Sequence, residues 1–369
     1  MRDIHQEHMQ SALLVAKEAK YHAAPNPMVG AVIVKDKKII GTGFTQEPGK
    51  DHAEVQAIKD VKNKFGDQAN EELKNSCLYV TLEPCNKQGK TPACTKAIIN
   101  SGIEKVFIAT KDPSQRGIEE LRKSGIKVQE GICESESLEQ NRGFFSRILR
   151  KRPFVTCKIA CSIDGGIGKI KGEKKWITCK KAREDAHEIR ASSDAILTGI
   201  GTVLSDNPRL TVRKKELRNR STNINPKRYI LDSSLKLKGD EVLLNDGYET
   251  TIFCNKIKQV VYKNPKIKIV EAPGRFSKVS LDKVMEYLDN EECNNLMIEA
   301  GTKINTSFIA SKFIDEFVFY ISPRILGKEK INFSEFESSF SNIGTIHLEH
   351  KEITGIGTDI KLVARPIYN

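Results

Sequence analysis

Short apolar runs alternate with helix-patterned segments along this chain, and the alternation is broken once, at Leu149-Arg150-Lys151-Arg152-Pro153. Such alternation builds a sheet covered by helices rather than a bundle or a sandwich. With 369 residues to place, the break predicts two α/β domains, 1–150 and 151–369. In the first, Met9, Ala12, Leu13 and Ala16 share one helical face, and Met28–Val34 and Lys38–Phe44 form a hairpin about Asp36-Lys37. Helices are expected over His52–Val61, Thr95–Asn100 and Gly117–Ser124, and strands over Leu78–Leu82, Lys105–Ala109 and Lys127–Glu130. Glu134–Arg152 reads as one charged helix. In the second domain, strands are expected at Phe154–Ala160, Ala195–Gly199, Arg228–Leu231, Thr250–Phe253, Leu296–Ile298 and Glu316–Ile321, with a closing antiparallel pair between Ile343 and Pro366.

Composition narrows the partners. No apolar run approaches the ~18 residues a membrane span needs, and Met1–Ala19 lacks the apolar centre of an export signal. Nine cysteines, an odd number in a long chain, argue for free thiols in a reducing compartment, so the protein is expected in the cytoplasm. The net charge of +12 falls mainly in the second domain, with 37 basic against 28 acidic residues there and 23 against 20 up to Arg150. That balance suits anionic partners. Acidic residues interleave with the basic ones throughout, and no nucleic-acid arm stands out. A phosphorylated small molecule is the expected partner, with neither nucleic acid nor membrane.

One constellation carries chemistry. His52-Ala53-Glu54 stands at a helix start, Thr81-Leu82-Glu83-Pro84-Cys85 ends a strand, and Cys94 opens the next helix. One imidazole and two thiolates make a three-ligand zinc site whose fourth position stays open for water. Glu54, two residues beyond His52, reaches that water without binding the metal and serves as proton shuttle. The general deaminase signature pairs His-x-Glu with Pro-Cys-x-x-Cys. Here the cysteines are separated by eight residues. The order of the whole set, more than any piece of it, points to a zinc-dependent deaminase acting on a nucleobase-like ring.

With Pro25-Asn26-Pro27-Met28-Val29-Gly30 before it and Gly89-Lys90-Thr91-Pro92-Ala93-Cys94 after it, the constellation resembles the bifunctional deaminase/reductase family of riboflavin biosynthesis, in which the longer cysteine spacing is usual. The resemblance continues through Lys158-Ile159-Ala160-Cys161-Ser162-Ile163-Asp164-Gly165, Lys175-Trp176-Ile177-Thr178, Gly201–Thr211 and Glu299-Ala300-Gly301, nearly the whole chain in one order. It implies a cytidine-deaminase-like three-layer domain followed by a dihydrofolate-reductase-like α/β domain. The implied reactions are hydrolytic removal of the 2-amino group of a diamino-ribosylamino-pyrimidinone 5′-phosphate, then NADPH-dependent reduction of its ribosyl group to ribityl. It also implies a homo-oligomer, dimer or tetramer.

Residue by residue, the resemblance implies zinc on His52, Cys85 and Cys94, with Glu54 catalytic. Asn26 and Lys90 would contact the first substrate, and Arg190, Leu210, Arg213 and Glu299 the second. Lys158 is the expected catalytic side chain of the reduction, acting on the ribosyl oxygens. The cofactor side would comprise Ala160, Trp176, Thr202, Asp206, Ser233 and the run Gly301, Thr302, Lys303, Ile304, Asn305, Thr306 and Ser307. Backbone N–H groups of that run, with the hydroxyls of Thr302, Thr306 and Ser307, are expected to cradle the diphosphate. Guanidinium groups at Arg190 and Arg213 suit a phosphate because their planar fork matches its oxygens.

The chain also departs from the family. Asn86-Lys87 stands where Ser-His is usual after the first zinc cysteine, Thr45 where a His is common, Asp51 before His52, and Ser114-Gln115 in a shortened loop after Asp112-Pro113. These positions leave the metal ligands and Glu54 untouched, and Lys87 is the expected replacement for the imidazole. A rival reading is a tRNA or single-strand nucleic-acid deaminase with a basic appendage. It requires aromatic side chains interleaved with basic ones for base stacking. Aromatics make up 7% of the chain and do not cluster near His52.

Overall fold

The computed structural model describes residues 3–89, 92–169, 176–219, 224–335 and 345–368, and these fall into two compact units, Met1–Arg150 and Lys151–Asn369. The first unit is built on five strands: β1 (Gly30–Lys35), β2 (Lys38–Phe44), β3 (Cys77–Leu82), β4 (Lys105–Thr110) and β5 (Lys127–Glu130), ordered β2-β1-β3-β4-β5. β1 runs antiparallel to β2 and β3, and β3, β4 and β5 are parallel. Asp36 and Lys37 both take positive φ, 48° and 64°, as a two-residue hairpin turn that follows the strand twist requires.

Burial on both faces makes three layers. Ala31 and Ile33 pack with Leu78, Val80 and Ile108 beneath the helix Ala53–Phe65, whereas Val32 and Val34 pack with Tyr79 and Phe107 beneath the helix Ile4–Ala16. The expected Met9, Ala12, Leu13 and Ala16 face is buried there. Glycines on β1 and β2 set how close the helices come. A Cβ on Gly43 would lie 2.2 Å from the Ala53 carbonyl oxygen and 2.4 Å from the Ala57 nitrogen. Gly43→Ala must therefore lift the start of that helix, at a cost of about 1–3 kcal/mol. Because His52 caps this helix, we expect the variant to melt lower and to hold less zinc per chain. Unchanged zinc stoichiometry in a folded variant would contradict this.

The expected single helix over Glu134–Arg152 is two helices, Glu134–Gln140 and Arg142–Arg150. Asn141 breaks them, and its carboxamide accepts from the Met28 N–H at 2.8 Å and donates to the Met28 carbonyl at 2.9 Å. The same contact explains why β1 begins at Gly30 rather than at Met28: the two Met28 backbone groups are already satisfied by a side chain.

The second unit holds a nine-stranded sheet. Its strands are β6 (Phe154–Ser162), β8 (Ala195–Gly199), β9 (Lys227–Leu231), β10 (Thr250–Cys254), β11 (Ile267–Glu271), β12 (Asn295–Ile298), β13 (Glu316–Ser322), β15 (His347–Ile356) and β16 (Asp359–Ile367). β7 (Gly166–Lys169) and β14 (Lys330–Asn332) form a separate pair. The order β11-β10-β9-β8-β12-β6-β13-β16-β15 is parallel from β11 to β13, and the β15–β16 hairpin closes it antiparallel. Helices enter directly after β8 and β12, at Ile200–Asp206 and Thr302–Ala310, with Gly199 and Gly301 as their caps. These neighbouring strands thus deliver two helix starts to one edge, the carboxyl end where open α/β sheets bind ligands.

Candidate functional sites

In the first unit, each expected metal ligand sits at the end of an element. His52 caps the helix Ala53–Phe65, Cys85 follows β3, and Cys94 is the first residue of the helix Cys94–Ser101. The sheet brings the three together. His52 Nδ1 lies 3.5 Å from Cys85 Sγ and 3.3 Å from Cys94 Sγ, and all three ligand atoms are within 4.8 Å of one another. Tetrahedral zinc with ordinary Zn–N and Zn–S bonds separates such atoms by about 3.5 Å, so the donor set fits the metal. The Cys94 N–H also points to Cys85 Sγ at 3.4 Å. Hydrogen bonds from the Cys94 thiol and from His52 pull the Cys85 thiol well below its ordinary value, against the opposing effect of burial, and so favour the thiolate form.

Glu54 lies one residue inside the helix and is 3% exposed. Burial, with the neighbouring Cys85 charge, pushes its carboxyl up to about 7. A carboxyl near neutrality can both take and release a proton at working pH. Around this centre, Glu83 is buried, and its carboxylate accepts from the Asp112 N–H at 3.1 Å and the Ile118 N–H at 3.0 Å. It pins the loop after β4 to the end of β3. Sequence reading assigns Glu83 no role, because a carboxylate that binds backbone amides has no pattern of its own.

Two of the departures from the family, Asn86-Lys87 and Ser114-Gln115, are connected. The Asn86 N–H donates to Gln115 Oε1, Asn86 Oδ1 accepts from the Arg116 N–H, and Lys87 Nζ donates to the Ser114 carbonyl at 3.1 Å. Residues 86–87 and 114–116 therefore brace one another. Thr45 is buried and turned onto Val29, whose N–H it accepts at 3.0 Å. Asn26 is half-buried, and its N–H donates to the Ala23 carbonyl. Lys90 lies outside the described residues.

In the second unit, Glu299 follows β12 and gathers two cations. Lys158 Nζ on β6 is 3.1 Å from one carboxylate oxygen, and Arg190 Nη2 is 2.7 Å from the other. Burial alone would raise the Glu299 carboxyl, but Arg190 and Lys158 outweigh it and hold the group well below the usual carboxylate range. Arg190 is 6% exposed and also donates to the Thr211 carbonyl at 2.7 Å, while its buried Nε–H has no acceptor among the described residues. A buried donor left over beside a pair of cations suits an anionic ligand. Leu210 is buried with φ 55°, a left-handed conformation uncommon for a residue with a Cβ. Ala160 is half-buried two residues beyond Lys158 on β6, so the two share a face. His187, which sequence reading passed over, accepts the Arg213 N–H at Nδ1. Burial, then Arg190 and Arg213, pushes its imidazole down to about 4.

On the cofactor side, the hydroxyls expected to cradle the diphosphate have partners within the protein. The Thr302 hydroxyl donates to the Asn332 carbonyl, Thr306 Oγ1 accepts from the Glu335 N–H, and the Ser307 hydroxyl turns back to the Lys303 carbonyl. Asn305 is buried and reaches the Phe333 carbonyl. These side chains fasten residues 332–335. The anion-binding capacity of the turn lies in its backbone: Gly301 caps the helix with no side-chain hydrogen bond, and a Cβ there would meet nothing nearer than Thr202 Oγ1 at 3.8 Å. The turn therefore has room for a diphosphate against a helix N-terminus. Ile304 packs under Gly199, and Lys303 is exposed. Asp206 is exposed and accepts from the Ser205 hydroxyl, and Ser233 Oγ accepts from the Val279 N–H. Trp176 is 70% exposed with the Arg183 guanidinium 4.8 Å from its ring centroid, so it is no core residue.

Residues 2–110 match the cytidine and deoxycytidylate deaminase zinc-binding region, and residues 153–362, more than half the chain, match the RibD C-terminal domain. The riboflavin biosynthesis protein RibD of Aquifex aeolicus is 40% identical over 335 residues, 89% of each chain. That of Escherichia coli is 32% identical over 96% of this chain and 97% of its own. The chain belongs to the RibD family. Solved RibD structures agree throughout its length. Acinetobacter baumannii RibD superposes with a TM-score of 0.86 at 32% identity, covering 99% of both chains. The Thermotoga maritima diaminohydroxyphosphoribosylaminopyrimidine deaminase/5-amino-6-(5-phosphoribosylamino)uracil reductase gives 0.86 at 33%, again over 99% of both. This RibD protein is accordingly a bifunctional enzyme of riboflavin biosynthesis, a hydrolytic deaminase and a reductase, with Zn2+ and NADPH as its cofactors. It joins a cytidine-deaminase-like fold to a dihydrofolate-reductase-like one, and its substrate is a phosphorylated pyrimidine. Among the described residues, no helix is long and apolar enough to cross a membrane.

Proposed function

We propose that the Met1–Arg150 unit hydrolyses the 2-amino group of 2,5-diamino-6-ribosylamino-4(3H)-pyrimidinone 5′-phosphate, and that the Lys151–Asn369 unit reduces the ribosyl chain of the product to ribityl. The observation that carries this is the convergence of His52 Nδ1, Cys85 Sγ and Cys94 Sγ beside a buried, unligated Glu54. His52, Cys85 and Cys94 hold zinc, which when bound supplies Lewis-acid activation of water. Glu54 takes a proton from the attacking water and delivers it to the departing amine, so ammonia leaves and the ring carbon that bore it becomes a carbonyl. Asn26 and Lys90 orient the ring and its ribosyl phosphate.

In the reductase unit, NADPH supplies the hydride, and Gly301 with the first turn of Thr302–Ala310 receives its diphosphate. Thr202, Asp206, Ser233, Ala160 and Trp176 border the cofactor. Lys158 donates a hydrogen bond to the ribosyl oxygen, Glu299 holds Lys158 and Arg190 in place, and Arg190, Leu210 and Arg213 receive the phosphorylated end of the sugar. The orphaned Arg190 Nε–H supports that last assignment. We place the enzyme in the cytoplasm as a homo-oligomer without nucleic-acid partners. The exposed edge strand β15, carrying Leu348 and Ile353, supports pairing with a second copy.

The test follows ammonia and NADPH separately. Zinc-loaded protein should release ammonia from the diamino substrate without NADPH, and should oxidise NADPH only after deamination. Chelation should abolish ammonia release, leave NADPH oxidation on the pre-deaminated substrate intact, and be reversed by Zn2+. Ammonia release that persists in metal-free protein would remove the zinc centre from the mechanism.

A further inference from the structure

Four backbone groups of the segment 209–213 are bonded to side chains from elsewhere in the fold. The Arg209 carbonyl accepts from Arg228, the Thr211 carbonyl from Arg190, the Val212 N–H donates to Asn225, and the Arg213 N–H donates to His187. His187 and Arg190 lie one turn apart on the helix Lys180–Ala191, so they share a face. Around the imidazole stand Arg190 on its own helix, Arg213 in the segment, Lys158 on β6 and Glu299 after β12. That is three cations against one carboxylate. Glu299 is already committed to Lys158 and Arg190, and among the described residues Arg213 makes no ion pair. With Glu188 paired to Lys214, the region carries excess positive charge until a ligand supplies an anion.

We propose that His187 is a third anion-binding side chain of the reductase site, which the substrate phosphate recruits by drawing a proton onto its imidazole. The inference rests on the phosphate assignment of Arg190 and Arg213. In the free enzyme the neutral ring accepts the Arg213 N–H at Nδ1, which holds Arg213 beside Arg190. The surrounding cations oppose protonation, in keeping with the depressed imidazole. A phosphate dianion reverses the sign of the local charge: the proton enters at Nδ1, which gives up the Arg213 N–H, and the imidazolium then presents a charge-assisted donor to the phosphate. Substrate capture by this half thus takes up a proton. Neither Arg190 nor Arg213 can supply that linkage, because guanidinium keeps its charge throughout.

The experiment measures ribose 5-phosphate binding to the full-length protein by calorimetry in buffers of different ionisation enthalpy, for the parent, His187→Asn and His187→Ala. Asparagine retains an acceptor for the Arg213 N–H but cannot gain a proton. The phosphate's own titration is common to all three and cancels in the comparison. The parent should take up more protons than either variant near about pH 6.5 and bind about tenfold more tightly there. The advantage should shrink toward about pH 8.5. Reductase KM should follow the same pH course with kcat little changed, and ammonia release serves as the folding control. Equal proton uptake in parent and His187→Asn would overturn the proposal while leaving the phosphate site intact. Failure of the parent to bind the sugar phosphate would overturn the phosphate site and the proposal together.

Discussion

Glu54→Gln is expected to lower ammonia release by about 10²–10⁴-fold, with zinc content and NADPH oxidation on pre-deaminated substrate unchanged. The amide keeps the shape of the carboxylate and loses only the ability to carry a proton. The side chain is 3% exposed and its carboxyl stands at about 7, so the group replaced is one that exchanges protons at working pH. A stability signature accompanies the kinetic one in the metal-free protein. The folded carboxyl binds its proton more tightly than the unfolded one, whose value lies near 4.5. Unfolding therefore releases protons, and stability declines as pH rises from there through about 7. Glutamine has no such decline, so the metal-free variant should melt above the parent at and beyond neutral pH. Zinc loss in Glu54→Gln would show instead that the carboxylate belongs to the ligand set.

The zinc centre was legible because every part of it marks an element boundary. His52 precedes a helix, Cys85 follows a strand and Cys94 starts a helix, and in an α/β sheet such ends collect on one edge. Strand positions were equally readable where the apolar runs are buried on both faces, as in β8 and β10. The misses share a different cause. β11 has a half-exposed pattern, and β7 and β14 are three or four residues long and mostly polar. β7 and β14 are too short to show a period, and the alternation of β11, Ile267-Lys268-Ile269, spans only three of its residues. Asn141, Glu83 and His187 act through backbone groups 113, 29 or 35, and 26 residues away. Residue type and spacing do not encode such partners. The backbone partners of Thr302 and Thr306 were illegible for the same reason, since the chain segment that bonds them lies about one helix and one strand further on.

Lys158→Ala should separate the two activities most clearly on the other side. Lys158 projects from β6, beside β12, onto the Glu299 carboxylate at 3.1 Å, on the same strand face as Ala160. If its ammonium hydrogen-bonds the sugar oxygen as charge develops, its removal should cost about 10²–10³-fold in reductase kcat, with a smaller change in KM because Arg190 and Arg213 still receive the phosphate. Ammonia release should be unaffected. The substitution also removes one of the two cations that keep Glu299 ionised. A carboxylate with a depressed folded-state value contributes stability that is present above its unfolded value and lost as pH falls through the folded one. Losing Lys158 raises that folded value, so acid unfolding of Lys158→Ala should begin at higher pH than in the parent. Lys158→Arg restores the cation beside Glu299 while altering the donor presented to the sugar, so it should recover acid stability more fully than turnover. Full recovery of turnover in Lys158→Arg would mean that position 158 needs only a positive charge, and equal loss of both activities in Lys158→Ala would make the lysine part of the framework.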